Sequence, residues 1–343
     1  MYLYNTLWIR EITVEHQRHP VGIDCRTPRF AWKLESDGEN VFQQAFCMKI
    51  LDETHGSVPV FDSGIMVSGQ SIEMTADSFL PKPVTEYLVQ LTVWDQQGRE
   101  AYSEARFETG LMGMFPDNRW VEPVQEPTPS SMDWEHTGDA VSDEAILRDE
   151  TGERTYGEFR PAQYVRIPFS TEQKKGIRRG RVYATAHGLY RLFVNGMRPD
   201  DMEFAPENTA YEKVLYYQTY DITGLLRAGE NVIGIILADG WWAGRVGTTG
   251  DCCQYGDTVG LWLHAEILYT DGSWQVITGN NGVSSTGPIV FSDLFVGEKR
   301  DGAFFLLRFQ TEPALGEYPL ESGFQYHIDS HRLSAAGESR MDR

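Results

Sequence analysis

Cysteine is scarce in this 343-residue chain, with Cys25, Cys47, Cys252 and Cys253 the only four. None falls in a C-x-x-C spacing, and the adjacent Cys252 and Cys253 bridge each other only under strain. A zinc site and a disulfide framework are therefore not expected, and thiols in a reducing compartment are. Long apolar runs are missing too, since none approaches the ~20 residues a membrane helix needs. The opening MYLYNTLWIREITVEHQRHP shows no basic leader followed by an apolar stretch, so cytoplasmic residence is the expectation. Cations are in deficit, 30 Lys plus Arg against 50 Asp plus Glu. A net charge of -20 repels phosphate backbones and anionic lipid, which excludes nucleic acid and membrane as expected partners and leaves neutral sugars or cations. Neither G-x-G-x-x-G after a strand nor G-K-[ST] occurs, so no phosphate cradle is expected.

What the chain does contain is strand material, in a length sufficient for two or more domains. Over residues 1–115, strands are expected at Arg29–Glu35, Ala45–Asp52, Ser71–Thr75, Tyr87–Trp94 and Ala105–Glu108. Pro20, Pro28, Pro81 and Pro83 fall between them, where a missing N–H does no harm. Residues 116–160 carry Pro116, Pro123, Pro127 and Pro129 and then an acidic stretch, which reads as linker and exposed insertion, with Trp120-Val121 tucked against a neighbouring domain. A second set of strands runs through Tyr164–Phe169, Arg178–Thr185, Leu189–Val194, Val214–Tyr220, Asn231–Leu237, Gly260–Tyr269 and Trp274–Thr278, with further runs at Pro288–Phe291 and around Phe295. Asn195-Gly196 and Asp271-Gly272 are hairpin turns, and Asp221 to Gly229 suits one capped helical turn. Lys174, Lys175, Arg178, Arg179 and Arg181 read as a solvated edge. The fold class is all-β: one sandwich over 1–115, a second over 161–309 and a poorly patterned tail over 310–343.

Particular motifs carry a resemblance. His19 to Ser36 (HPVGIDCRTPRFAWKLES), FDSG at 61–64, VWDQQG at 93–98 and FETGL at 107–111 are similar to the fibronectin type III-like domain that opens bacterial α-L-rhamnosidases. One departure is Leu88-Val89, where the family often places Trp. Farther on come ATAHGLY, FVNG, APENTAY, YYQTYDIT, GENVIG, ADGWWAGRVG and TGPIVFSDLFVGE, between residues 184 and 298. They resemble, in order and spacing, the jelly-roll-like sandwich that precedes the catalytic barrel of the same family. Past Phe291 the family continues with a motif like GExYDAR and a helical barrel bearing both catalytic acids. Here the chain reads GEKRDGAFFLLRFQ and then an unpatterned tail. The resemblance thus implies a non-catalytic N-terminal portion lacking the barrel, and no catalytic residue is carried over. Its partners would be a rhamnose-containing glycan or glycoside, and the catalytic domain packed on the second sandwich. A stand-alone carbohydrate-binding module or a non-functional truncated product are the alternatives.

Sugar binding asks for flat aromatic faces beside polar side chains that reach hydroxyl groups. Asp239, Trp241, Trp242 and Arg245 offer both within seven residues, and Asn208 and Tyr211 stand in the APENTAY loop. The competing reading is structural: one Trp caps the core, Asp239 ties the turn and Arg245 pairs with an acid. No cofactor is expected, although Asn195, Asp200, Asp201 and Glu203 supply the oxygen donors that a calcium ion takes, and some sandwiches of this kind hold rhamnose with calcium. His187 is expected to be a hydrogen-bonded core residue rather than a base.

Overall fold

Alternation of apolar and polar residues builds the first unit strand by strand. The computed structural model describes residues 6–116, 118–125, 160–246, 252–295, 297–300, 318–319 and 333–335. The chain divides into two units at Phe115/Pro116. The first contains β1 (Leu7–Val14), β2 (Val21–Ile23), β3 (Arg29–Ser36), β4 (Gln43–Asp52), β5 (Val58–Asp62), β6 (Met66–Val67), β7 (Met74–Thr75), β8 (Glu86–Asp95) and β9 (Glu100–Thr109). One sheet runs β1-β3-β7; the other runs β2-β9-β8-β4-β5, with β6 also on β4. Their inward rows, among them Ile12, Phe30 and Trp32 from one sheet and Phe46, Ile50, Val89 and Phe107 from the other, form a single core. Val89 lies in this core and Leu88, its neighbour on β8, is buried outside it, so the departure noted there leaves the topology intact. Only Met74–Thr75 of the expected Ser71–Thr75 strand is in ladder register with β3, and Ser71 O separately accepts the Trp32 N–H at 2.9 Å.

The second unit is a sandwich of β10 (Gln163–Thr171), β11 (Ile177–His187), β12 (Leu189–Val194), β13 (Leu215–Asp221), β14 (Gly229–Ala238), β15 (Gly260–Tyr269), β16 (Trp274–Thr278) and β17 (Val283–Thr286). A hairpin of β18 (Ile289–Asp293) and β19 (Gly297–Arg300) follows, then two short strands, β20 (Tyr318–Pro319) and β21 (Leu333–Ala335). The sheets run β12-β14-β10-β17-β20 and β16-β15-β11-β13-β21. β20 pairs antiparallel with β17 and β21 parallel with β13, so strand pairing continues past residue 309. Between the sheets Ile167, Ile233, Ile235, Leu237, Val182, Ala184 and Leu261 are fully buried. Each large aliphatic side chain there contributes about 1.5–3 kcal/mol by leaving water. Asn195 (φ 52) and Gly196 (φ 83) are both left-handed and close a two-residue turn through the Val194–Met197 hydrogen bonds, as a type I′ turn requires. Asp271 and Gly272 make the β15–β16 hairpin turn.

Three local findings refine the expectations, the first in keeping with a Trp120-Val121 pair tucked against a domain. Residues 118–125 lie against the second sandwich: Val121 exchanges two 2.9 Å backbone hydrogen bonds with Leu261 and joins the core, and Asn118 Nδ2 donates to Leu263 O at 3.2 Å. Arg179 and Arg181 are buried, not solvated, because one lies over the Trp274 ring at 5.3 Å and the other pairs with Asp221 at 2.6 Å. The helical turn near Thr223 is a 3₁₀ turn, Thr223–Leu225, in which Asp221 Oδ1 accepts the Thr223 N–H at 2.9 Å. Among the described residues no helix is long and apolar enough to cross a membrane.

Candidate functional site

The Asp239–Arg245 segment begins where β14 ends at Ala238. Gly240 takes φ +54, which turns the chain out of the strand, and a Cβ on it would overlap the Leu189 side chain. One α-helical turn, α1 (Gly240–Ala243), follows in place of the expected open loop; Ala243 N–H donates to Asp239 O and Gly244 N–H to Gly240 O, both at 3.1 Å. Trp241 and Trp242, adjacent on so short a turn, leave it in different directions.

Trp242 goes inward. Its ring stacks on His187 (centroids 3.9 Å, interplanar angle 5°), and the other face of His187 stacks on Trp120 (3.9 Å, 13°). Tyr255 lies alongside Trp242 at 6.0 Å, and Tyr211 meets Tyr255 edge-on at 4.9 Å. His187, expected as a hydrogen-bonded core residue, is half-buried at the end of β11 and is held by ring stacking between two indoles. Burial pushes its imidazole down from 6.5 to about 3, so the ring is neutral at physiological pH. Tyr211 is buried as well, with its hydroxyl donating to Glu207 O at 2.7 Å.

Trp241 goes outward. It is half-buried and sits 6.0 Å from the exposed ring of Phe204, and Asn208 is exposed in the loop that follows Phe204.

The two charged residues of the segment are tied inside. Asp239 Oδ1 accepts from Arg160 Nε at 2.7 Å and also from Nη2. The same buried guanidinium reaches Gln125 Oε1 and donates to Asp257 O at 3.0 Å. Arg245 donates its backbone N–H to Asp293 Oδ2 at 3.0 Å and brings its guanidinium to 3.5 Å of the same oxygen, both side chains being buried. A buried acid and a buried guanidinium tolerate loss of water only as partners. These pairs lock the turn to β18 and to the entry of β10.

The proposed calcium donors are arranged differently. Asn195 donates to Leu225 O and Asn231 Oδ1, each at 2.8 Å, and accepts the Val232 N–H at 3.0 Å. Glu203 stands between Arg191 (2.7 Å) and Arg198 (2.6 Å), whose guanidinium also lies 3.8 Å from Asp200. Asp201 is exposed. Among the described residues, no three His, Cys, Asp or Glu side chains converge as a metal cluster.

The structure thus brings Asp239, Trp242, Arg245 and Tyr211 together as an internal clasp and places Trp241 and Asn208 outside it. The residues that complete the clasp, Trp120, Gln125, Arg160, His187, Tyr255 and Asp293, come from five separate stretches. Only Trp120 and His187 drew notice in the sequence, and neither as a stacking partner of Trp242. Phe204, the partner of Trp241, stands one residue before the APENTAY motif.

Comparison with known proteins gives this arrangement its kin. The model of the Rha78A-like, N-terminal immunoglobulin domain matches residues 9–113, and that of the α-L-rhamnosidase N-terminal domain matches residues 175–334. An α-L-rhamnosidase of Formosa agariphila is 27% identical over 321 residues, 89% of this chain and 32% of its own length. One from Streptomyces avermitilis is 36% identical over 200 residues, 56% of this chain and 19% of its own. Among solved structures, the native α-L-rhamnosidase of Aspergillus terreus superposes with a TM-score of 0.73 at 25% identity, over 96% of this chain and 35% of that one. The Streptomyces avermitilis enzyme complexed with L-rhamnose superposes with a TM-score of 0.72 at 23% identity, over 87% of this chain and 43% of that one. The chain spans a third or less of the length of these two curated relatives. An immunoglobulin-like domain followed by a rhamnosidase N-terminal domain, aligned along most of the chain with curated enzymes, places it in the α-L-rhamnosidase family as an N-terminal portion.

Proposed function

We propose that these two sandwiches are the non-catalytic N-terminal support of an α-L-rhamnosidase, a glycoside hydrolase acting on terminal α-L-rhamnosides, with the second sandwich as the seat of the catalytic domain. The observation that carries this reading is the use of the DGWWAGR segment as a clasp. Its two charges are neutralised internally by Arg160 and Asp293, and its inner tryptophan is stacked on His187. Glycoside hydrolysis needs one carboxyl group to protonate the leaving oxygen and a second to activate water or attack, on either side of the scissile bond. Asp239 and Asp293 do neither while each holds an arginine. Purified chain incubated with an aryl α-L-rhamnoside is expected to release no phenol above the buffer rate. Turnover that survives repurification would overturn the proposal.

A second reading, carbohydrate contact, is favoured by one further observation: the half-buried Trp241 and exposed Phe204 form an aromatic edge beside the exposed Asn208. Titration with L-rhamnose is expected to shift the indole N–H resonance of Trp241 and leave that of Trp242 in place. Two unmoved indoles at millimolar sugar would remove the reading.

A further inference from the structure

Cys252 and Cys253 lie on the segment that backs the tryptophan turn. The Cys253 N–H donates to Ala243 O at 3.1 Å, and its Sγ lies 3.6 Å from the same oxygen. Two residues on, Tyr255 N–H donates to Trp242 O at 3.3 Å, which ties the segment bearing the two thiols to Trp242. Both cysteines are partly exposed and neither is in a disulfide.

Adjacent Cα atoms stand ~3.8 Å apart across a trans peptide, short of the ~4.4–6.8 Å that an unstrained disulfide spans. Direct closure is therefore strained, whereas an atom inserted between the two sulfurs lengthens the bridge and relieves it. Charge selects the kind of atom. Burial, the neighbouring Cys252 and the carboxylates of Asp239 and Asp257 push the Cys253 thiol up to about 12, so it keeps its proton at neutral pH. A divalent ion that needs two thiolates is disfavoured by this surrounding. A soft trivalent centre that exchanges oxygen for sulfur and releases water is not.

We propose that Cys252 and Cys253 together form a chelating site for a thiophilic trivalent metalloid of the arsenite class. With phenylarsine oxide as the probe, two As–S bonds form, and the arsenic-bound oxygen leaves with the two thiol protons as one water. Arsenic stays trivalent and no oxidant is required. The two sulfurs act at high effective concentration toward one centre, so loss of either weakens capture by about a hundredfold or more.

The test treats the reduced, full chain with phenylarsine oxide and reads intact mass, maleimide-reactive thiols and tryptophan emission. One arsenical per chain, the loss of two reactive thiols, reversal by a 1,2-dithiol but not by a monothiol, and an emission change absent from Trp242→Phe are the expected results. Cys252→Ser and Cys253→Ser should each abolish the adduct with unchanged thermal unfolding, and the Cys25→Ser/Cys47→Ser double variant should retain it. An adduct that survives in Cys252→Ser, or that is lost in the double variant, would overturn the proposal. So would a pair already unreactive to maleimide until dithiothreitol is added, which would assign direct oxidation instead.

Discussion

His187 has both ring faces covered by indoles, and the unfolded chain protonates such a ring near 6.5 while the folded unit resists to about 3. The folded state therefore binds fewer protons across that window. Its contribution is complete above pH 6.5 and is lost as pH falls toward 3, amounting to a few kcal/mol. His187→Phe retains a stacking ring and removes the titration. Urea midpoints measured from pH 7.5 down to pH 4 should fall less steeply in the variant than in the parent, because the carboxylates common to both cancel; equal slopes would refute the assignment. Gly240→Ala tests a second residue, since a Cβ at φ +54 against Leu189 is expected to cost about 1–3 kcal/mol in the same titration. The roles of individual side chains were only partly legible in the sequence. Asp239 and Arg245 stood out as charged residues beside tryptophans, yet their partners lie 79 and 48 positions away. Nothing local distinguishes an arginine that will be buried from one that will face a ligand. That is also why Arg179 and Arg181 read as solvated.

Elements were easier to read than residue roles. Strands with clean alternation or continuous Val and Ile, such as β8, β12 and β14, stand close to where the pattern put them, and both predicted turns with Gly in second place adopt left-handed backbone there. Among the strands that escaped notice, β1 mixes charges with apolar residues, and β5 and β6 are short and largely exposed. The segment 118–125 read as linker because of the prolines around it, although its Trp120-Val121 pair was expected to pack on a domain, and its pairing with Leu261 makes it part of the sandwich. Val121→Asp, which puts a carboxylate into that core, is expected to lower the stability of the second unit by more than about 3 kcal/mol while leaving the first unit's unfolding unchanged. The ion pair at the start of β10 offers a matching test. Asp239→Ala strands the Arg160 guanidinium, whose side chain is 4% exposed, and should cost about 3–5 kcal/mol. Chemical denaturation followed by tryptophan emission would check both.

Across the whole molecule, each unit has a core of its own. Calorimetry is expected to resolve two transitions, of which Val121→Asp, Asp239→Ala and His187→Phe displace only one; a single transition moved by all three would count against separate unfolding. The net charge of -20 adds self-repulsion to both states, most in the compact one. Raising sodium chloride from about 10 mM to about 150 mM, which shortens the Debye length from ~30 Å to ~8 Å, should therefore raise both transition temperatures. The Trp120–His187–Trp242 stack has one more consequence. Two indoles fixed nearly parallel on either face of an imidazole, in one handed arrangement, constitute an asymmetric chromophore. The second unit thereby acquires a circular dichroism band in the near ultraviolet, which should vanish when either flanking ring is replaced and so reports on that unit without dye or label.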